Sequence, residues 1–305
     1  MPNKQPLVTV ILPVYNGEKT LKATLESLLA QTFVDFELLI GIDGSKDGSK
    51  NIAEAFLDKR IQIFENPVNI GLGPNVNKLI SLASSSSKYI AMAEQDDVYV
   101  PERLQWQVEV MTQHPEIGLV SGIAEFVSDT SKILFPGLLV SGKQFSQGED
   151  LFKYLYINQL KVVNTCMMLR KSVHQNHQLT FTDKYPNMNV DWDYVLRFSL
   201  VSKVYGIPKK LVCMNRTSAN QSVTADKWKQ FETSRQLLKD FKEEFPSLIS
   251  KKDYRDALKM HRKIELGFRN KFGIVIMGAY YSLLYLDVYF LKYIGDRFFK
   301  FIEIK

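Results

Sequence analysis

Between Met92 and Pro101 the chain reads MAEQDDVYVP. An apolar run meets three acids, Glu94, Asp96 and Asp97, and then resumes. Buried strands do not tolerate that many carboxylates without compensation. Clustered carboxylates suit a hard divalent cation, Mn²⁺ or Mg²⁺, which takes oxygen ligands. They also suit a pair that shares a proton for acid/base work. The cation fits better, because Mg²⁺ is usually held by one or two carboxylates together with substrate phosphates. The plainer alternative is a solvated turn in which Asp97 supports the start of the next helix. A second acidic pair, Asp191 and Asp193, flanks Trp192, and Arg216 stands in the polar stretch MNRTSANQSVT. His174 and His177 have no carboxylate or Cys close by in sequence and are expected to be solvated. Cys166 and Cys213 are far apart, match no metal spacing and suggest no disulfide scaffold. There is no GxxxxGK[ST], and no GxGxxG follows the first apolar run, which argues against P-loop and dinucleotide sites.

The elements that would position these residues are legible in the first 115 positions. Leu7–Val14 is a short apolar, β-branched run that suits a strand buried on both faces. Leu21, Leu25, Leu28 and Leu29 then recur at helical spacing. Strands are predicted at Phe36–Ile42, Ile61–Phe64 and Tyr89–Ala93, with helices running through about Leu57 and Ala83 and from Pro101 onward. Strand and helix thus alternate four times, the signature of a doubly wound, mostly parallel α/β sheet. Such sheets bind ligands outside the carboxyl ends of their strands. Tyr15 and Asn16, Asp43, Asn69 and Gly71, and the acids from Glu94 to Asp97 each follow one strand. All four clusters are therefore expected along one edge.

These segments, in order, resemble family 2 glycosyltransferases, which have the GT-A fold. The opening LVTVILPVYNGEKTLKATLESLLAQTFVDFELLIGIDGSKDGS carries most of the likeness. NIGLGPNVN resembles the family's N-x-G loop, AEQDDVYVPERL its acidic D-x-D segment, and NTCMMLRKS the segment before the acceptor site. DWDYVLR resembles its E-D-x-D-L-x-x-R segment. The resemblance implies an inverting enzyme that moves one sugar from a nucleoside diphosphate donor, UDP-type, to a hydroxyl of a glycan or lipid-linked acceptor in cell-surface polysaccharide synthesis. It implies a metal-dependent enzyme using Mn²⁺ or Mg²⁺. Pro13, Tyr15 and Glu18 would line the nucleotide pocket, Asp43 would bond the base, and Asn77 would sit near the nucleotide. Glu94 would occupy the first acidic position, Asp96 would coordinate the cation, Asp191 would be the general base, and Arg216 would steady the diphosphate. Three departures stand out. Ile42 and Val190 replace acids, Glu94 is one methylene longer than the usual Asp, and Thr217 and Ser218 stand where the family often has a His. Glu94, Ile42 and Val190 support the rival reading, a non-catalytic nucleotide-sugar-binding or scaffold protein of the same fold. Trp106 is expected in the core, whereas Trp192 could stack on a sugar.

Residues 1–223 are expected to form the catalytic domain, its nucleotide half ending near 125 and its acceptor half covering about 126–223. Residues 224–305 would form a helical extension. Acidic and basic side chains balance through residue 223, so the whole net charge of +6 lies beyond it. Such a tail points to an anionic partner. Its character is apolar and aromatic as well as basic, which disfavours nucleic acid. Phe272–Leu286 carries no charge, and only Asp287 interrupts the run to Leu291. That length approaches a bilayer span, but Gly273, Gly278, Ser282 and Asp287 weaken it. Aromatics interleaved with Lys292, Arg297 and Lys300 suit the headgroup boundary. An in-plane or shallow membrane contact is expected there, against the alternative of packing on the protein or a dimer partner. With no signal peptide at the start, a cytoplasmic protein, peripheral on the membrane, is expected.

Overall fold

The computed structural model describes residues 5–144, 146–159, 162–185, 187–217 and 226–302. The expected boundary at 223 and the position of Ser218 lie outside the described residues. The chain divides into two compact units, Met1–Phe152 with Lys161–Asp226, and Lys153–Leu160 with Lys227–Lys305.

The first unit begins with the alternation its periodicity predicts: β1 (Val8–Val14), α1 (Leu21–Leu29), β2 (Phe36–Asp43), α2 (Ser49–Glu54), β3 (Ile61–Asn66), α3 (Leu72–Ser81) and β4 (Tyr89–Met92). Every residue of β1 and β2 is buried, as a strand covered on both faces requires. The pairings β2–β3, β1–β2 and β1–β4 are all parallel, and Val14 lies opposite Ile42 while Asp43 lies opposite Asn66. That register brings the carboxyl ends of the four strands to one edge.

Beyond β4 come β5 (Asp97–Tyr99), α4 (Arg103–Gln113), β6 (Ile117–Val127), β7 (Lys132–Phe135), β8 (Leu139–Val140), β9 (Lys143–Gln144) and α5 (Glu149–Asn158). A 3₁₀ turn at Asn164–Cys166 leads into β10 (Met168–Arg170), α6 (Lys171–Asn176), α7 (Val190–Val201) and β11 (Lys203–Asn215). The main sheet runs β3-β2-β1-β4-β10-β6-β11-β5, with β7 added on β6. β10 is antiparallel to both β4 and β6, and β11 is parallel to β6. The acids do not form a simple strand-to-helix turn. Asp97 opens β5, which pairs antiparallel with β11, and Met214 lies opposite Asp97.

Phe181, Thr182 and Asn187 lie against α3. The Asn77 amide donates to the Phe181 carbonyl at 2.8 Å and accepts from the Phe181 amide at 2.9 Å. Asn187 Oδ1 accepts from the Leu72 amide at 2.8 Å, capping the start of α3. Asn187 and Asn189 both have positive φ, a conformation that Asn tolerates better than most side chains. Phe181 stacks on Tyr194 of α7, ring centroids 3.9 Å apart. Tyr194 shares a hydrogen bond with buried His174, which is therefore not the solvated histidine its sequence context predicts.

The second unit holds the end of α5 with α8 (Lys227–Glu244), α9 (Lys251–Gly267), α10 (Lys271–Tyr285) and α11 (Tyr289–Ile302). The Tyr156 hydroxyl donates to the Leu238 carbonyl, and Gln159 ties to Ala257 and His261. Ser250 and Asp253 form a capping box on α9, and Asn270 caps α10. Leu286 in the left-handed region ends α10, and α11 folds back on it. Asp287 pairs with Lys259, which answers the charge that interrupts the apolar run. Among the described residues no helix is long and apolar enough to cross a membrane.

A Cβ at Gly73 would lie 2.4 Å from the Thr182 carbonyl oxygen and 3.0 Å from that of Phe181. Both obstacles are backbone and cannot swing aside. Gly73→Ala is therefore expected to cost ~1–3 kcal/mol of stability. Urea denaturation checks this, and a stability within about 0.5 kcal/mol of wild type would show that the docking of 181–182 is loose.

Candidate functional site

The site assembles where β1 to β4 end. Met92 is anchored from two sides. Its amide donates to the Met167 carbonyl, and its own carbonyl accepts from Arg103 Nη2 at 2.7 Å. Glu94 follows, its amide donating to the Tyr99 hydroxyl at 2.8 Å. The same hydroxyl makes a very short contact with Thr165 Oγ1 in the 3₁₀ turn, and Asn164 Nδ2 donates to Glu94 Oε1 at 3.3 Å. Gln95 turns the other way and grips the backbone of Tyr15, accepting from its amide at 2.8 Å and donating to its carbonyl at 3.0 Å. The acid segment is thus held between β1, β5 and the turn before β10.

The three acids converge. One carboxylate oxygen from each of Glu94, Asp96 and Asp97 lies within 4.8 Å of the others. Arg216, two residues past the Met214–Asp97 pairing, reaches Asp96 Oδ2 at 3.5 Å. Asp97 is fully buried, and neither of its carboxylate oxygens has a donor in hydrogen-bond geometry. Burial, with Glu94 and Asp96 beside it, holds its carboxyl well above the usual range. Arg216 and the Thr165 hydroxyl oppose that rise, the latter without reaching a hydrogen bond. Burial first, then Asp96 and Asp191, push Glu94 up to about 7. A buried carboxylate left without a donor, beside two more, is the donor set a hard cation takes. These three residues therefore fit a divalent ion.

Of the second acidic pair, Asp191 is near enough to Glu94 to raise its pKa. It stands in the first turn of α7, where its Oδ1 accepts from the Trp192 amide at 2.9 Å. Asp193 is buried and paired with Arg197 at 3.0 Å. Trp192 is completely buried, so its ring is core and cannot stack on a sugar. Asp43 lies at the end of β2, but its carboxylate is engaged by the N-x-G loop. Oδ1 accepts from Asn66 Nδ2 and the Ile70 amide, and Oδ2 from the Gly71 amide. Glu18 Oε2 accepts from the Gly48 amide at 3.0 Å. Pro13 is buried in β1 and Tyr15 is exposed just beyond it. Asn77 spends both ends of its amide on Phe181.

Four residues of the site escape sequence reasoning. Tyr99, Asn164 and Thr165 hold Glu94, and Arg103 lies buried beneath the acids. The Arg103 guanidinium lies 4.5 Å over the Tyr99 ring, donates to the Met92 and Met167 carbonyls, and leaves Nη1 without an acceptor. A signal existed for Asn164 and Thr165, since Asn-Thr interrupts the apolar VVNTCMML as the acids interrupt their own run. Arg103, on a helix with exposed charge around it, offered none.

Residues 9–177 match the family model described as "Glycosyl transferase family 2". An "Uncharacterized glycosyltransferase" of Haemophilus influenzae is 26% identical, over 77% of this chain and 73% of its own. The Escherichia coli protein named UDP-Glc:alpha-D-GlcNAc-diphosphoundecaprenol beta-1,3-glucosyltransferase WfgD is 26% identical over 78% of this chain and 87% of its own. Among solved structures, S. aureus TarS 1-349 in complex with UDP superposes with a TM-score of 0.57 at 16% identity. The alignment covers 76% of this chain and 65% of that one. The mannosyltransferase PcManGT of Pyrobaculum calidifontis, in complex with GDP-Man and Mn²⁺, does so with a TM-score of 0.57 at 14% identity, over 96% and 84%. At such identities the superpositions speak for the fold, which is of the GT-A type: a curled central sheet flanked by helices.

The carboxylate corner has its own pH signature. The folded pKa of Glu94, raised from 4.5 to about 7, means that the folded chain keeps a proton the unfolded chain has already released. The stability tied to this group is therefore full below about pH 4.5 and lost as pH rises to about 7. Without divalent cation, the melting temperature is expected to fall over that window, and Mn²⁺ should shrink the fall. Glu94→Gln should flatten it. A slope unchanged in Glu94→Gln would show that Glu94 is not the titrating group.

Proposed function

The chain belongs to glycosyl transferase family 2, and we propose from that premise that it is an inverting transferase. It would move one sugar from a nucleoside diphosphate sugar, UDP-linked, to a hydroxyl of a glycan or lipid-linked acceptor in building a cell-surface polysaccharide. The observation that carries this reading is the gathering of Glu94, Asp96 and Asp97 with Arg216 beside them and Asp191 close enough to raise the pKa of Glu94. The named relative WfgD, whose acceptor is a diphosphoundecaprenol, supports the lipid-linked alternative.

In this mechanism Pro13, Tyr15 and Glu18 border the nucleotide. Asp43 bonds the base with the lone pairs its loop leaves over, and it also holds the Ile70–Gly71 backbone in place. Asn77 acts on the nucleotide side by fixing Phe181 against α3. Asp96, with Glu94 and Asp97, would hold Mn²⁺ or Mg²⁺. When bound, such an ion neutralises charge on a leaving diphosphate without proton bookkeeping. Asp191 takes the proton of the acceptor hydroxyl as its oxygen bonds the anomeric carbon. The bond from that carbon to the diphosphate oxygen breaks with its electron pair, and Arg216 steadies the departing oxygens. A single displacement inverts the centre, so no second carboxylate nucleophile is needed. We place the enzyme on the cytoplasmic face of a membrane, which residues 272–291 would contact. The basis is the exposed apolar surface of α10, where Phe272 and Leu283 are each 75% exposed.

Asp191→Asn keeps shape and removes the base, so it is expected to lower sugar transfer by about 10²–10⁴-fold while UDP binding stays near wild type. Full activity in Asp191→Asn ends the base assignment. Asp96→Ala should lose both transfer and the thermal stabilisation that UDP-sugar with Mn²⁺ confers on the wild type. Stabilisation equal with and without Mn²⁺ in the wild type would count against metal dependence.

A further inference from the structure

Arg216 meets an aromatic ring on one side and the acids on the other. It follows directly on β11, and its amide donates to the Val127 carbonyl at 2.8 Å, so its backbone is pinned to β6. Asn215 Oδ1 accepts from the amide and the hydroxyl of Thr217 at 3.1 and 2.8 Å, which turns the chain away just beyond. The side chain is the part left to move. Phe126 pairs with Met214 in the register of β6 and β11, which sets its ring on the diagonal to position 216. The Arg216 guanidinium carbon lies 5.8 Å from the centre of that ring. Phe135 of β7 meets the same ring edge-on, with centroids 5.8 Å apart and planes at 61°. A guanidinium set against a ring keeps its N–H groups for oxygen acceptors. Among the described residues the polar partners of this guanidinium both meet Nη1: Asp96 Oδ2 at 3.5 Å and the Asn215 carbonyl at 3.3 Å. The side chain is 30% exposed, so it also borders solvent.

Asp96 is also one of the three carboxylates that fit a divalent ion. A divalent ion and a guanidinium on the same carboxylate would repel, and the more so where water is scarce. The Asp96 side chain is only 15% exposed. One of the two positive charges must therefore give way. Asp97 is tied into the β5 ladder and cannot follow either of them. Arg216 acts on Glu94 and Asp97 as well, opposing the rise of both pKa values. It thus serves all three acids as a counter-ion, and it is the one that can swing, with the Phe126 ring as its rest. A diphosphate offers oxygens in place of those it surrenders, in the paired geometry that a guanidinium fork takes best.

We propose that Arg216, steadied by Phe126, competes with the divalent cation for Asp96 and is drawn off by the diphosphate of the donor, so that cation and nucleotide bind as a pair. This rests on the donor and cation proposed above. It adds a competitor built into the site and a positioning residue, Phe126. Calorimetric titration of the full chain tests it, with Mn²⁺ alone and with UDP in saturating Mn²⁺. The titrations are made at pH 8, above the value of about 7 to which Glu94 is pushed. Arg216→Gln should bind Mn²⁺ alone about ten-fold more tightly than the wild type, and UDP about ten-fold more weakly. Phe126→Leu should move the two constants in the same opposite directions, by about three-fold each. Phe126→Tyr keeps a ring and should return both to the wild-type values. A merely structural part for Phe126 would instead weaken both ligands together. Mn²⁺ binding that is unchanged or weaker in Arg216→Gln overturns the competition and leaves the donor and cation standing. UDP binding at the wild-type level in Phe126→Leu, or a loss in Phe126→Tyr as large as in Phe126→Leu, overturns the positioning role. A wild type that binds neither Mn²⁺ nor UDP overturns the donor and cation themselves.

Discussion

Three carboxylates share a corner too small and too dry for all of them to be charged unaided. The oxygens of Glu94, Asp96 and Asp97 lie within 4.8 Å of one another, and Asp97 is sealed from solvent without a donor. Repulsion between like charges at such separations grows as water is excluded. The protein meets it only in part. Arg216 approaches Asp96 from the end of β11, and Arg103 lies buried below with one nitrogen unsatisfied. Protonation of Glu94 and Asp97 relieves the repulsion, and the divalent cation proposed for this corner would relieve it too. Much of the local architecture serves to keep the acids in place despite their mutual repulsion.

That service explains elements that otherwise look arbitrary. Leaving β4 to form β5 on the far edge of the sheet commits Asp97 to a backbone ladder, so it cannot swing into solvent. Inserting β10 antiparallel between β4 and β6 brings the Asn164–Cys166 turn alongside, with Asn164 and Thr165 reaching Glu94 and the Tyr99 hydroxyl. Gln107 secures the turn by donating to the Cys166 carbonyl, and burial pushes the Cys166 thiol up to about 12, leaving it inert. The site is carried by strand ends and by a turn locked from behind, which suits a constellation that must hold its geometry.

The sequence was most legible where structure is local. Leu21, Leu25 and Leu28 predicted α1, and the apolar run 7–14 predicted β1, because each pattern reports the packing of its own element. The convergence of Tyr15, Asp43 and Glu94 on one edge followed from parallel topology. Less was visible after β4. Nothing local announces that Asp97 pairs across to Met214, because that choice is settled by partners more than a hundred residues away. The same holds for Asn164, whose meaning depends on where β10 inserts. Trp192 was ambiguous for a simpler reason: an aromatic beside an acid reads the same whether it lines a pocket or fills the core, and here it fills the core. Family resemblance supplied roles that periodicity could not, but it said nothing of what holds the acids together.

The docking of Phe181, Thr182 and Asn187 on α3 has a consequence for how such a chain diversifies. Asn77 and Gly73 belong to the half that carries the N-x-G loop, yet their partners lie just before the helix that bears Asp191. Segments that lead into a helix bearing candidate site residues are where relatives would be expected to exchange sequence. Here such an exchange cannot be made alone. A replacement for Phe181 and Thr182 must present a backbone that leaves room for α3 and returns two hydrogen bonds to an amide at position 77. The segment before α7 and the helix beneath it form one heritable cassette, and exchanging it between relatives would succeed by transplanting both.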